Sequence, residues 1–256
     1  VAELHVIFGT GPLGSAVMTE LLKKGRQVKM VNRSGKAEMP AEVEVVKGDI
    51  NNAESVRQLS QGAAVAYMCA KPAYNRWVEE FPPMITSVIE GVAQSGSKLV
   101  FGDNLYMYGE VIGPISEDLP YAATTRKGQA RAKVANLIME AHNSGKIRAT
   151  IGRAADFYGP MVLDSAIGER VFYPALAGKT ASAIGNLDLP HTYSVIGDFG
   201  RGLATLGEQE KALGQIWHIP NPPTITTREL LTMAFKEMGL PPKMSRMGKV
   251  MMRIGG

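Results

Sequence analysis

The residues with the clearest chemical content lie near the start of the chain. Gly9-Thr10-Gly11-Pro12-Leu13-Gly14 sets three glycines in G-x-G-x-x-G spacing. The apolar run Leu4 to Phe8 precedes it. After it, Leu13, Val17 and Leu21 recur every four residues, with Met18 and Leu22 beside them. A strand, a tight turn and a helix in that order give the spacing its meaning. Gly9 permits the turn, Gly11 lets the backbone approach a pyrophosphate, and Gly14 lets the helix pack close to the strand. The N–H groups at the helix start, with the positive end of its dipole, then hold the phosphates. A glycine-rich turn without a ligand needs one glycine, not three at these offsets.

The second apolar run, Gln27 to Val31, ends in Asn32-Arg33-Ser34-Gly35. A carboxylate at that point would pair with a ribose 2′-hydroxyl and repel a 2′-phosphate, but the first acid is Glu38. Arg33 offers a bidentate, charge-assisted contact to phosphate, worth about 1.5–3 kcal/mol. With Asn32 and Ser34 beside it, NADP(H) is the expected cofactor; the alternative is a solvated loop arginine. Asp49, in Lys47-Gly48-Asp49-Ile50, can accept a hydrogen bond from an adenine amino group while Ile50 stacks beside the ring. The same Gly-Asp pair also suits an ordinary strand-to-helix turn.

These residues need elements to hold them, and the pattern supplies them by alternation. Strands are expected at Val43 to Val46, Ala63 to Cys69, Lys98 to Phe101 and Arg148 to Ile151. Helices are expected near Ala53 to Leu59, from about Pro83 to Gln94 and over Gln129 to His142. Pro82-Pro83 suits a helix start and Gly96 an end. Strict alternation means βαβ units and a parallel sheet covered on both faces. The fold class is therefore α/β, a doubly wound Rossmann sheet of six or seven strands, with the ligand across the strand carboxyl ends. Residues 1–160 read as the dinucleotide-binding domain and 161–256 mostly as a small substrate-binding subdomain. Segments around 191–219 return to the sheet: short strands near His191 to Val195 and Ile216 to Ile219, and a helix over Gly197 to Gly207. A last helix spans Thr227 to Met238, where Thr226 and Glu229 stand in capping-box spacing. The chain stops in mid-amphipathic pattern at Met251 to Gly256, so the natural protein is expected to run on.

Composition excludes several classes. The 256 residues are 45% hydrophobic and 20% charged, enough for a core and unlike a disordered chain. A formal charge of +4, from 28 basic and 24 acidic residues, with one modest cluster at Arg126, Lys127, Arg131 and Lys133, does not make a nucleic-acid stripe. No apolar run approaches the roughly 18 residues of a membrane span. With the glycine turn so early in the sequence, no signal peptide is expected. A single cysteine, Cys69, excludes an internal disulfide, fits a reducing cytoplasm and reads as a small core residue. His5, His142, His191 and His218 show no metal-ligand spacing, so no metal is expected. Ser194 lacks the G-x-S-x-G elbow of a serine hydrolase.

Four stretches together carry a resemblance. They are the glycine turn, Gly48-Asp49-Ile50, the run from Phe101-Gly102-Asp103-Asn104 to Tyr108-Gly109, and Arg153-Ala154-Ala155-Asp156-Phe157-Tyr158-Gly159-Pro160. Over essentially the whole chain they resemble the extended or atypical short-chain dehydrogenase/reductases, close to the NAD-dependent epimerase/dehydratase group. His191 to Asp198 is similar to that family's later V-x-D segment. The resemblance implies a catalytic Ser or Thr where Asn104 stands. It also implies a Y-x-x-x-K pair on the next helix, and this sequence has none: the best register puts Lys127 at the tyrosine and Arg131 at the lysine. It further implies that Ala70 and Lys71 line the cofactor, that the Ala155 backbone meets the carboxamide, and that Asp156 faces the substrate. A helix-on-helix homodimer is common in that family, although no surface seam here demands one.

Three readings follow. The first is an NADPH-dependent reductase with a substituted proton donor drawn from Tyr74, Lys127 and Tyr108, with Asn104 orienting the carbonyl. Trp77, Asp156 and Tyr158 are then substrate-binding candidates. An acid at Asp156 and 14 methionines favour a small apolar carbonyl, enone or imine. The second reading is an NADP-binding sensor without catalysis. In the third, the substrate supplies its own proton relay. An epimerase or dehydratase of a nucleotide sugar stands as a further alternative. For Trp77 a helix anchor, for Tyr106 and Tyr108 a shared packing face, and for Arg131 a solvated helix charge are the plain alternatives.

Overall fold

The structure, a computed structural model, describes residues 2–247. Met251 to Gly256, where the sequence stops in mid-amphipathic pattern, lie outside the described residues. In chain order the elements begin β1 (Leu4–Phe8), α1 (Pro12–Lys23), β2 (Gln27–Asn32), β3 (Glu44–Lys47), α2 (Ala53–Ser60) and β4 (Val65–Met68). A 3-10 turn at Tyr74–Arg76 leads into α3 (Trp77–Ser95) and β5 (Lys98–Asp103). A second such turn, Tyr106–Tyr108, precedes α4 (Arg126–Asn143), β6 (Arg148–Arg153) and β7 (Asp156–Tyr158). Next come α5 (Glu169–Leu176), β8 (Ala181–Ile184), β9 (Pro190–His191), β10 (Tyr193–Val195) and α6 (Ile196–Glu208). Last are β11 (Ile216–His218), β12 (Ile225–Thr226), α7 (Thr227–Glu237) and β13 (Met244–Met247).

Seven strands form one sheet in the order β11-β6-β5-β4-β1-β2-β3, and every neighbouring pair is parallel. Parallel strands need crossovers, which cover both faces, so the central strands are apolar throughout. All four residues of β4 are buried, as are the last four of β1. The chain winds outward through β2 and β3, then reverses through β4, β5, β6 and β11. Between β1 and β4 the connections therefore diverge and leave a crevice at the carboxyl ends. The doubly wound α/β class is what the alternation predicted.

Contacts divide the chain into two units. One joins the residues up to Ala154 with Gly197–Pro220; the other joins Ala155–Ile196 with the residues from Asn221 onward. The first holds the sheet and a core that includes Val6, Phe8, Phe81, Val88, Leu99, Phe101 and Ile138. The second contains the pairs β7–β10, β9–β12 and β8–β13, with a core of its own around Ile167, Val171, Tyr193, Leu231 and Phe235.

Three expectations need correction. Helix α3 starts at Trp77, not near Pro83, and carries Pro82 and Pro83 inside it. Tyr106 and Tyr108 share no face: the tight turn leaves Tyr106 38% exposed and Tyr108 fully buried. The methionine count is no guide to an apolar ligand pocket, since Met18, Met30, Met68, Met84 and Met107 pack in the core while Met161 and Met233 are exposed.

Candidate functional site

The glycine turn is built as its spacing requires. Gly9 has φ +119°, in the region that favours glycine, and donates to the Val31 carbonyl at 2.9 Å. A Cβ there would meet the Ala70 nitrogen at 3.0 Å, so Ala70 backs the turn directly. A Cβ on Gly14 would lie 2.0 Å from the Gly9 oxygen, the close helix–strand approach that only glycine allows. Gly11 differs: a Cβ there would meet nothing within 4 Å. Helix α1 begins at that glycine with Pro12 in its first turn and no side chain capping it. Its first hydrogen bond, Ser15 N–H to the Gly11 carbonyl, is 2.9 Å. The Leu13 and Gly14 amides lie ahead of that bond and at the positive end of the helix, an arrangement that fits a pyrophosphate.

Asn32 closes the β2 end of the cradle. Its side-chain oxygen accepts the N–H groups of Ser34 and Gly35 at 3.0 and 2.7 Å. Its amide donates to Thr10 Oγ1 at 3.1 Å and to the Lys36 carbonyl at 2.9 Å. Asn32 is therefore occupied in shaping the loop, while Arg33 and Ser34 are exposed at its tip. Asp49 spends one oxygen on the Asn51 backbone and side chain, at 2.9 and 3.1 Å. That carboxylate shapes a turn. Ile50 packs partly against the core.

A second set of residues gathers where β4, β5 and α4 meet. Lys127 Nζ lies 3.2 Å above the centre of the Tyr74 ring, and one turn further along α4 the Arg131 guanidinium lies 4.1 Å above Trp77. Tyr74 and Trp77 meet edge to face at 4.9 Å, so the two cations and two rings form a short ladder. Tyr74 is 47% exposed and Trp77 only 3%. Trp77 donates from Nε1 to the Pro72 carbonyl at 3.2 Å and lies within reach of Lys71, whose Nζ is 5.9 Å from its ring. Asn104 accepts the Tyr106 N–H at 3.1 Å through its side-chain oxygen.

Beneath this ladder lies a charge network that sequence reasoning missed. Asp103 bonds Arg131 Nη1 at 3.0 Å and Arg153 Nε at 3.2 Å, and all three side chains are buried. The alternative that Arg131 is a solvated helix charge is thus overturned. Burial pushes its guanidinium down and Asp103 opposes that, while arginine in any case stays charged. Arg153 also donates to the Tyr108 hydroxyl at 2.6 Å and the Tyr121 hydroxyl at 2.5 Å, and Tyr108 reaches His218 Nε2 at 2.8 Å. Burial raises Tyr108 above the usual phenol value. Asp103 and Arg153 end their strands in register, a pairing that only the folded sheet reveals.

The remaining predicted residues belong to the second unit. Ala155 is 9% exposed. Asp156 opens β7 and meets His191 Nε2 at 3.1 Å, and Tyr158 ends β7 with its ring 6.4 Å from that of Tyr193. Cys69, outside both sets, is half-buried and not in the core that the sequence suggested, and burial pushes its thiol up, which suits an inert residue.

Comparison with known proteins agrees with this geometry. The profile of the NAD dependent epimerase/dehydratase family matches residues 6–219. No curated protein sequence is similar enough to match. Among solved structures, UDP-glucuronic acid 4-epimerase from Bacillus cereus, in complex with UDP-glucuronic acid and NAD, superposes with a TM-score of 0.83 at 21% identity, over 95% of this chain and 86% of that one. The dTDP-glucose 4,6-dehydratase from Streptomyces venezuelae, with NAD bound, gives 0.82 at 19%, over 96% and 85%. The dTDP-glucose 4,6-dehydratase from Bacillus anthracis, in complex with NAD, gives 0.84 at 16%, over 96% and 84%. At these identities the likeness is one of fold.

Proposed function

The chain belongs to the NAD dependent epimerase/dehydratase family, and from that premise we propose that it is a dinucleotide-dependent enzyme acting on a nucleotide-linked sugar, with NADP(H) preferred to NAD(H). The observation that carries this reading is the cradle at Gly11, open to a ligand and flanked by glycines that admit no side chain. The solved epimerase and dehydratases that share the sheet hold NAD, and the epimerase also holds a nucleotide sugar. The small apolar carbonyl expected from the sequence has less support, because the structures that share the sheet include an epimerase holding a nucleotide sugar and Asp156 is paired with His191.

A bound nicotinamide dinucleotide supplies hydride chemistry at a carbinol or carbonyl carbon. The residues of this chain bind it and manage protons. The Leu13 and Gly14 amides hold the pyrophosphate, Arg33 and Ser34 take the 2′-phosphate, and Asp49 with Ile50 takes the adenine. Ala70 and Lys71 line the nicotinamide half. Lys127 stands where the family places its proton-donating tyrosine. Its ammonium, held over Tyr74, gives a proton to the substrate oxygen and takes it back, and the exposed Tyr74 hydroxyl is the second donor. The Asn104 side-chain amide donates to the same oxygen. Tyr108, its hydroxyl engaged by Arg153 and His218, serves as a positioning residue, as does Trp77 behind Tyr74. Asp156 and Tyr158 are the proposed sugar contacts on the second unit.

One observation favours a second reading, a sensor without chemistry: Lys127 and Arg131 replace the Tyr–Lys pair, and Arg131 is bound to Asp103. A side-by-side fluorescence titration with NADPH and NADH, followed by UDP- and dTDP-hexoses with inversion or 4-keto product read by NMR, separates the two. Tight NADPH binding, weakened about tenfold by Arg33→Ala with NADH unaffected, and product on the panel are the expected results. Binding without product would favour the sensor. Binding of neither dinucleotide would overturn both readings.

A further inference from the structure

The charges buried beneath the ladder do not balance. Arg131 and Arg153 are both buried, and both pair with the single carboxylate of Asp103. The other groups that act most strongly on the two guanidiniums are the phenols of Tyr106, Tyr108 and Tyr121, and a phenol carries no charge near pH 7. Two cations therefore share one anion out of water. An uncompensated buried charge is costly, so the network is short of one negative group.

The shortfall lies at Arg131. Arg153 gives Nε to Asp103, Nη1 to Tyr108 and Nη2 to Tyr121, so each of its nitrogens has a partner. Arg131 gives Nη1 to Asp103 at 3.0 Å, but its Nε, also buried, has no hydrogen-bond partner among the described residues. Native proteins rarely leave a buried donor orphaned. The same guanidinium lies 4.1 Å from the centre of the Trp77 ring and 4.5 Å from that of Phe81. Rings against a guanidinium cover its faces and leave its edge, so a ligand must meet it in the plane. A carboxylate is planar and offers two oxygens to such an edge; a tetrahedral phosphate needs room out of the plane.

We propose that Arg131 anchors an anion site: its Nε edge takes the carboxylate of a ligand, beside the Trp77 ring and with the exposed Tyr106 as outer wall. The carboxylate supplies both things the network lacks, a negative charge and an acceptor for the orphaned N–H. Lys127 stands one turn earlier on α4, about 5.4 Å along the helix, and adds a second positive charge on the same side. A lysine at position 131 would supply charge without the planar edge. When the ligand is the substrate, its sugar carries an acid group. That last step rests on the proposed function; the anion site does not.

Proton–nitrogen NMR of the arginine side chains tests the site on the full chain. The Arg131 Nε–H resonance is the one missing from Arg131→Lys. Formate, the smallest carboxylate, is titrated beside chloride at equal ionic strength. The expected result is a saturable downfield movement of that resonance with formate, half complete at roughly millimolar concentration, and none with chloride. The formate proton should also show a nuclear Overhauser contact to the Trp77 ring, and Arg131→Lys should weaken formate binding at least about tenfold. An unmoved resonance assigns the Nε to an internal water and overturns the proposal. Equal movement with chloride is screening alone and overturns it too. If Arg131→Lys does not fold, the contact to Trp77 in the natural chain decides, and its absence overturns the site. UDP-glucuronic acid beside UDP-glucose separates the sources of the carboxylate: movement with the acid and not the glucose supports a sugar acid, and movement with formate alone overturns that last step. The formate readouts involve no dinucleotide and no turnover, so failure of the site is distinct from failure of the proposed function.

Discussion

A methyl group added at Gly11 and one added at Gly14 meet opposite fates. At Gly14 it lies 2.0 Å from the Gly9 oxygen; at Gly11 nothing is within 4 Å. Gly14→Ala should therefore lower stability by about 1–3 kcal/mol in urea unfolding, through overpacking. Gly11→Ala should unfold like the natural chain yet bind NADPH at least about tenfold more weakly in a fluorescence titration. Loss of stability at Gly11 with affinity unchanged would mean that the open space there is not a ligand's. Asp103 is the other decisive residue. It is the carboxylate shared by two buried guanidiniums, and Asp103→Ala leaves both unpaired, a loss of about 3–5 kcal/mol in the same urea assay. These two features were unequally legible. The glycines act within six residues of one another, so spacing alone reveals them. Asp103 meets Arg131 and Arg153 from 28 and 50 residues away, and nothing local distinguishes those arginines from solvated ones.

Elements with local caps could be read directly, and those set by tertiary packing could not. Thr226 and Glu229 form the reciprocal capping box that their spacing announced. Helix α3 was misjudged because a proline pair is a good helix start in isolation. Here the buried side chains of Trp77, Phe81, Met84 and Ile85 recur at helical spacing across the prolines, and their burial outweighs the two amides that Pro82 and Pro83 lack. Helix α4 carries the element-scale prediction. Its first turn holds Arg126 and Lys127 and no acid, the unfavourable sign for a helix N-terminus. The Thr125 side chain, accepting the Gly128 N–H at 3.1 Å, is its cap. Thr125→Ala should lower stability by about 1 kcal/mol and loosen the turn that carries Lys127. If Lys127 is the proton donor, turnover should fall while NADPH affinity stays within about twofold of the natural value. An equal drop in both would place Thr125 with the cofactor instead.

For the whole molecule, the sheet was legible because parallel strands buried on both faces are nearly continuous apolar runs, and β1 and β4 are of that kind. The second unit was not. Its strands are two to four residues long, and β8 finds its partner β13 across some 63 residues, as in the Ser182–Ser245 hydroxyl pair. Separate cores make a separable prediction. Phe235 is 2% exposed in the second core, and Phe235→Ala should destabilise that unit by about 3–5 kcal/mol. Faster hydrogen exchange should appear within residues 155–196 and 221–247, and NADPH affinity should stay within about twofold. NADPH at about a hundred times its dissociation constant should instead add about 2.7 kcal/mol, with the new protection in α1, β2 and the β4 end. The cradle residues, Gly9 to Gly14, Asn32 to Ser34 and Ala70, all belong to the first unit. A Phe235→Ala chain that loses NADPH binding would therefore mean that the dinucleotide depends on the second unit for most of its hold, and that the glycine turn supplies only part of the site.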